Sequence, residues 1–467
     1  MQQLSPQDAQ FLYLETGNNL THVMGVNIYD PSTAPGGKVR FKDIIAHVQG
    51  RLDCSPVFRR RLMRLPYDFD HPYWVEDRYF DIEHHIFHGR LPEPGDWRQF
   101  CIHLSRHFSR PMDMNRPLWD MYVIEGLDRI KGIPRGAYAI ATRVHHAAID
   151  GTSAMHFFSA LSDKDRKGTP AIELPRREEE LGTPPSTVQV LNRALVSNVT
   201  SPVKMVSTLL RFSPAIWSSI TRSLGSEKSG TRVPQTRFNN PVSPHKVFDA
   251  TVFPLAELKK IKSKVEGATI NDVVLAICSG ALRLYLMAHD ELPDAPLVAI
   301  APVNARGRGG DAETPGNNLS AMSVALPTYA ADPLDRLRLV RDTTRDTKAA
   351  RSGISARLMT DLSKHVPAAT LAGVARIVAG GRFTSRFCNL FISNVPGPQQ
   401  TLYMNGARLV RTFGMAPLAD GMGLFIATPS YDGEMTFNII SDREMLPDIE
   451  FFRECLDASY KELRKAS

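Results

Sequence analysis

Apolar positions along the chain change their period several times, and each change marks an element. Alternation at every second residue, with β-branched or aromatic side chains, predicts strands at "HVMGVNIYD" (22–30), "DMYVIEGL" (120–127) and "GAYAIATRVHH" (136–146). After a break, the same pattern predicts strands at 246–254, 297–304, 318–327, 387–398, 423–431 and 434–441. Apolar residues three and four apart predict helices over 152–161, 255–265, 269–289, 333–352, 355–365 and 448–465. Strands and helices thus recur in both halves. The expectation is an α/β (α+β) protein of two domains, each a mixed sheet flanked by helices, with the active site in the crevice between them.

The break falls in "SDKDRKGTPAIELPRREEELGTPPSTVQ", a charged, proline-rich stretch that reads as a crossover between two bodies. The chain therefore divides into 1–165, a linker at 166–245 that carries helices, and 246–467. Within the linker, a patchily amphipathic stretch is interrupted by Pro202 and Pro214. It reads as helices packed on the protein. The alternative is shallow membrane contact through Leu209, Leu210, Phe212, Ile216 and Trp217, with Lys204, Arg211 and Arg222 toward lipid phosphates.

Composition narrows the class. A chain of 467 residues that is 43% hydrophobic can bury large cores. Cys54, Cys101, Cys278, Cys388 and Cys455 lie far apart without a C-x-x-C pair, which favours a reducing cytoplasm over a disulfide framework or a zinc ribbon. The N-terminus does not read as a signal peptide, and no stretch reaches the roughly 18 uncharged apolar residues of a spanning helix. The net charge of +7 is spread over small groups without a long Lys/Arg tract, so it reads as a solvated basic surface, and nucleic acid is not an expected partner.

One stretch carries chemistry. "TRVHHAAIDG" places His145 and His146 at the end of a predicted strand, with Asp150 and Gly151 where the chain turns into a helix. Successive strand side chains alternate, so one imidazole faces packing while the other faces open space. Two adjacent strand histidines chelate one metal poorly, no H-E-x-x-H is present, and no metal is expected. His84 and His88 of "HHIFH" lack a nearby acidic or cysteine pattern and read as surface or core residues. Asp150 holds the turn and Gly151 permits its backbone conformation. A histidine so fixed, with an ordinary pKa near about 6.5, is a natural base at neutral pH. Neither a G-x-S-x-G elbow nor a serine or cysteine beside the pair suggests a covalent acyl-enzyme.

The string "HHAAIDG" (145–151) resembles the H-H-x-x-x-D-G signature of the CoA-dependent acyltransferase superfamily. That superfamily includes chloramphenicol acetyltransferase, plant acyltransferases, the condensation domains of peptide synthetases and bacterial wax ester synthases. "LSPQDAQFLYLE" (4–15), "PLW" (117–119), "TINDVVLA" (269–276) and "SNVPGP" (393–398) further resemble the bacterial wax ester synthase/acyl-CoA:diacylglycerol acyltransferase family, in the same order and over nearly the whole chain.

The resemblance implies two chloramphenicol-acetyltransferase-like domains with the active site in a tunnel at their interface. It also implies His146 as the catalytic base, Asp150 as an orienting residue, and direct acyl transfer from acyl-CoA to a fatty alcohol or diacylglycerol. Acyl-CoA would be a substrate, and no metal or redox cofactor is expected. The protein would work in the cytoplasm, held peripherally at the inner membrane or on lipid inclusions. A condensation-type enzyme using carrier-bound acyl groups and a non-catalytic lipid-droplet protein are the rival readings.

For the remaining residues two readings stand side by side. Asn271, beside Asp272 in the first turn of a helix, is either an oxyanion donor or a capping contact. Asn394 is either catalytic or part of a rigid strand-to-turn geometry imposed by the prolines after it. Trp119 reads mainly as packing, with a role as a wall of the acyl channel as the alternative. Ala372 and Val374, in the small-residue stretch "LAGVARIVAGG" (371–381), either let an alkyl chain approach a helix or simply pack.

Overall fold

The fold is that of a computed structural model, and it describes residues 2–65, 70–149, 157–158, 160–168, 233–304, 319–349, 372–373 and 384–466. The first part of the chain supplies β1 (Gln2–Gln3), β2 (His22–Asp30), β3 (Arg60–Met63), β4 (Tyr73–Glu76), β5 (Ile86–Arg90), β6 (Trp119–Glu125) and β7 (Tyr138–His145). Its helices are α1 (Pro6–Leu14), α2 (Phe41–Gln49) and α3 (Trp97–Phe108). The later part supplies β8 (Lys246–Pro254), β9 (Leu297–Asn304), β10 (Leu319–Leu326), β11 (Leu390–Val395), β12 (Tyr403–Met404), β13 (Ala407–Met415), β14 (Leu424–Tyr431) and β15 (Glu434–Asp442). Its helices are α4 (Leu255–Ser263), α5 (Ile270–Ala288), α6 (Pro333–Ala349) and α7 (Ile449–Ala466).

The strands pair into two six-stranded mixed sheets and one small sheet. The first large sheet runs β12-β13-β2-β7-β6-β5, antiparallel except where β5 lies parallel to β6. The second runs β10-β9-β11-β14-β15-β8, with β11 parallel to both of its neighbours. The third, β1-β4-β3, flanks the first half. Two helix-covered mixed sheets are thus present, as the alternation predicts. The predicted helix at 355–365 lies outside the described residues, as does most of the one at 152–161.

The sheets do not divide where the linker does. β12 and β13 follow the linker by more than a hundred residues, yet β13 pairs along β2, from Arg408 opposite Asp30 to Met415 opposite Met24. Its signal in the sequence is the turn before it. Asn405 and Gly406 both take positive φ (53° and 78°), as a two-residue type I′ hairpin requires, and Met404 sits opposite Ala407. One apolar core then runs through both halves, joining Met24, Val26, Phe100 and Phe108 to Phe248, Leu424 and Met435.

Polar bonds tie the same seam. Trp97 Nε1 donates to Asp249 Oδ1 at 2.6 Å, Thr436 Oγ1 donates to the Thr412 carbonyl at 3.1 Å, and Arg411 pairs with Glu434 at 3.1 Å.

α5 is long and apolar although it carries two charged residues, Asp272 and Arg283. By length and composition this helix is apolar enough to cross a bilayer, but most of it is buried inside the protein. It is a core helix, and α7 lies against it so closely that a Cβ on Gly280 would meet Ser459 Oγ.

The hairpin turn is a sensitive point. At Gly406 a side chain would be strained by φ and would also meet Pro35 Cδ at 2.9 Å and the Arg166 carbonyl at 3.2 Å. Gly406→Ala should therefore cost about 1–3 kcal/mol, read as a lower urea midpoint with an unchanged transition slope.

Candidate active site

The site is built from the N-terminal helix upward. Ser5 caps α1 by accepting the Asp8 N–H at 3.1 Å, and Pro6 stands at its start, where no N–H is needed. Ala9, Leu12 and Tyr13 bury one side of α1 in a cluster with Leu4, Leu62, Leu118, Ala147 and Ala372. Phe11 and Glu15, four residues apart, project together at the end of β7. There Phe11 stacks on the His146 ring, with centroids 3.9 Å apart and planes 18° from parallel, and Glu15 Oε2 lies 2.7 Å from His145 Nε2.

The two histidines are not two positions of one strand. β7 ends at His145, and His146 begins a short 3-10 turn, His146–Ala148. His145 is fully buried and accepts the Ala147 N–H at its own Nδ1 (3.1 Å). An accepting Nδ1 carries no proton, so the proton of the neutral ring sits on Nε2, aimed at Glu15 with Thr21 Oγ1 3.0 Å away. Thr21 completes the cluster. It donates its N–H to Glu15 Oε2 at 3.1 Å, and its carbonyl accepts the His146 N–H at 2.9 Å.

Burial alone would push the Glu15 carboxyl up. The hydrogen bond from His145 Nε2 and the two bonds from Thr21 outweigh it, holding Glu15 below its ordinary value and ionised at neutral pH.

His146 is left in the opposite condition. Burial pushes its pKa down to about 4, its own carbonyl pulls weakly upward, and His145 pushes further down. The ring is therefore neutral at pH 7. Nδ1 is buried without a hydrogen-bond partner, and among the described residues neither ring nitrogen is bonded to another side chain. One imidazole is thus fully engaged, and its neighbour has no side-chain partner among the described residues.

The other predicted residues fall at several places. Asp150, Gly151 and Val374 lie outside the described residues. Trp119 is buried, stacks on His85 at 4.6 Å and donates Nε1–H to the Phe58 carbonyl, while the Leu118 carbonyl accepts the His145 N–H at 3.0 Å. The "PLW" segment thus anchors the end of β7, with Leu118 in the same cluster as α1. A cleft of about 390 Å³ opens over His85, His107, Trp119 and Tyr122, and His146 does not line it. Ala372 is fully buried in the cluster that holds Ala147. His84 and His88 approach different acids, Asp81 and Glu125.

At the start of α5, Asp272 is fully employed. Its Oδ2 accepts the Thr269 N–H at 2.7 Å and the Thr269 hydroxyl at 2.8 Å, and its Oδ1 accepts Thr344 Oγ1 at 2.7 Å. Asn271 makes no such bond among the described residues and stays partly exposed at the positive end of the helix. Asn394 lies on β11 opposite Thr428, its Oδ1 buried without a partner. Neither asparagine hydrogen-bonds to the histidine turn among the described residues.

Glu15, Thr21 and Phe11 escape the sequence reading. Their signal lay inside "LSPQDAQFLYLE", which marks the family but gives no role to a glutamate at a helix end.

Two helix-covered sheets around a common core, with a pair of histidines at the end of a central strand, make a fold shared with condensation domains. The starter condensation domain of rhizomide synthetase shares this fold at 11% identity, with a TM-score of 0.55 over 99% of this chain and 93% of that one. The wax ester synthase/diacylglycerol acyltransferase catalytic domain matches residues 4–274, and the WS/DGAT C-terminal domain matches 315–464. The chain belongs to the wax ester synthase/diacylglycerol acyltransferase family and is an acyltransferase.

It is 32% identical to a putative diacylglycerol O-acyltransferase of Mycobacterium tuberculosis, over all of this chain and 91% of that protein. The wax ester synthase/diacylglycerol acyltransferase from Marinobacter aquaeolei is 26% identical, with a TM-score of 0.70 over 99% of each chain.

The contrast between Asp272 and Asn271 is testable. Asp272→Ala should cost about 0.5–2 kcal/mol or more in urea denaturation through the lost cap, whereas Asn271→Ala should leave stability unchanged. Equal losses in both would show that Asn271 is a structural residue as well.

Proposed function

We propose that this enzyme moves a long-chain acyl group from acyl-CoA to the hydroxyl of a fatty alcohol, giving a wax ester, and to diacylglycerol, giving triacylglycerol. His146 is the general base. The observation that carries this reading is a neutral imidazole, without a side-chain partner among the described residues, on a turn whose neighbouring histidine is held by a half-buried carboxylate.

His146 takes the proton of the acceptor hydroxyl, and the oxygen attacks the thioester carbonyl. The tetrahedral oxyanion collapses, breaking the carbon–sulfur bond, and protonated His146 returns the proton to the leaving CoA sulfur. A positioned base of this kind contributes roughly 10²- to 10⁴-fold in rate. Asn271, free at the positive end of α5, is the donor assigned to the oxyanion, and Asp150 orients the turn. Phe11 keeps water from one face of the ring. The insoluble product places the reaction at a cytoplasmic membrane or inclusion surface, to which a net charge of +7 is attracted.

CoA thiol release from palmitoyl-CoA, with hexadecanol and then dipalmitoylglycerol as acceptor, tests the reading. Release should depend on acceptor and fall at least about 10²-fold in His146→Ala. The base works only when neutral, so the rate should rise with pH through about 4 and stay flat from mildly acidic to neutral pH. A limb near about 6.5, the value of an ordinary histidine, would show that His146 is not held in this environment.

Ala372 shares its apolar cluster with Ala147, one residue beyond the base, and the acyl chain is proposed to run beside it. Ala372→Phe should then shift preference toward shorter acyl-CoA; an unchanged chain-length profile would leave Ala372 a packing residue.

A further inference from the structure

The general-base reading explains His146 and leaves its neighbour without a task. Yet His145 is the better-connected ring. It is fully buried, it sits at the last position of β7, and both of its nitrogens are used: Nδ1 by the Ala147 N–H at 3.1 Å, Nε2 by Glu15 at 2.7 Å. The first bond caps the turn His146–Ala148, since His145 is its N-cap and the Ala147 N–H is one of the donors a turn leaves unpaired at its start. Glu15 comes from α1, 130 residues earlier in the chain.

We propose that Glu15 is a positioning residue for acyl transfer. By accepting the proton on His145 Nε2, it holds His145 in the tautomer whose Nδ1 accepts the Ala147 N–H, and so fixes the turn that presents His146. The proposal rests on His146 being the base.

The two tautomers of a neutral imidazole are close in energy in water, so a buried ring takes the form that its partners select. At this position the partners select oppositely at the two nitrogens. Ala147 offers a donor and Glu15 an acceptor, and only the Nε2-protonated ring satisfies both. With Glu15 removed, a proton on Nδ1 would face the Ala147 N–H donor to donor. The buried N–H would lose its partner and the turn its cap.

Thr21 alone does not replace the carboxylate. Its hydroxyl lies 2.9 Å from the Phe11 carbonyl and can give its single proton there, and as an acceptor it is neutral and farther from Nε2, at 3.0 Å against 2.7 Å. The same helix carries Phe11 onto the face of His146, so α1 aligns both rings at once.

Full-length wild type, Glu15→Gln, Glu15→Leu and His146→Ala are compared in two measurements. The first is thiol release from palmitoyl-CoA with hexadecanol. The second is the protonation state of the His145 nitrogens by long-range proton–nitrogen correlation on ¹⁵N-histidine-labelled protein.

Glu15→Gln keeps an acceptor oxygen and should keep both the tautomer and a kcat within a few-fold of wild type. Glu15→Leu should lose the Nε2-protonated tautomer and about 10- to 100-fold in kcat, the usual loss when the partner that orients a working histidine is removed, with KM for palmitoyl-CoA little changed. If Glu15→Leu fails to fold, Glu15→Ala is substituted, and added acetate should restore turnover.

An unchanged His145 tautomer in the leucine or alanine variant, or an unchanged kcat, overturns the proposal. Full activity in His146→Ala removes the general-base reading and this proposal with it. An inactive His146→Ala beside a fully active Glu15→Leu removes this proposal alone.

Discussion

The pairing of β13 with β2 is the constraint on which the rest of the molecule depends. It joins Met415 to Met24 and Arg408 to Asp30 across nearly four hundred residues, and closing so long a loop has a substantial entropic cost. The cost is met because β13 is enclosed on both sides. Along one edge it completes the first sheet. Across the seam, Tyr431 donates to the Leu409 carbonyl and Thr436 to the Thr412 carbonyl from the second sheet. With β13 in place, β2 is an inner strand, held between β13 and β7, and its first residue, His22, faces His145. The histidine turn therefore stands at the end of a strand whose neighbour is fixed by the far end of the chain.

Around that turn, charge is sorted by burial and hydrogen bonding. Glu15 keeps its charge because His145 and Thr21 hydrogen-bond to it. His22, also buried, donates Nε2–H to the Phe108 carbonyl; burial and the charge of Arg143 push its pKa down to about 3. His146 is neutral because burial disfavours its charged form. His22 and His146 are thus uncharged at neutral pH, beside the ionised Glu15. Such a region suits a reaction in which a neutral base must accept a proton only transiently, close to an apolar substrate.

The elements legible in the sequence are those whose environment is the same along their length. β2, β8 and β9 form with the bounds that alternation gives them, and α4, α5 and α7 fall within a few residues of their predicted ends. The histidine pair is legible for another reason: two histidines followed four residues later by Asp-Gly make a rare string. β13 is not legible from periodicity, since "ARLVRTFGM" carries Arg408 and Arg411 on a strand that is solvated at one end and enclosed at the other. Its Asn-Gly turn was the available sign. α1, α2 and α3 are short, and their apolar faces are completed by distant partners.

By itself, the sequence determined the fold class and the family and singled out the histidine pair, because periodic burial and a local motif are properties of neighbouring residues. The tertiary structure alone decided which residues attend that histidine. A glutamate at the end of an N-terminal helix is ordinarily a surface residue. It becomes a half-buried acceptor for His145 only when α1 docks against the end of β7, and a strand from the C-terminal half becomes part of the N-terminal sheet only when the two halves share a core. Hydrogen bonds and packing act over a few ångströms, whatever the separation along the chain, and sequence patterns report only the separations that local geometry fixes.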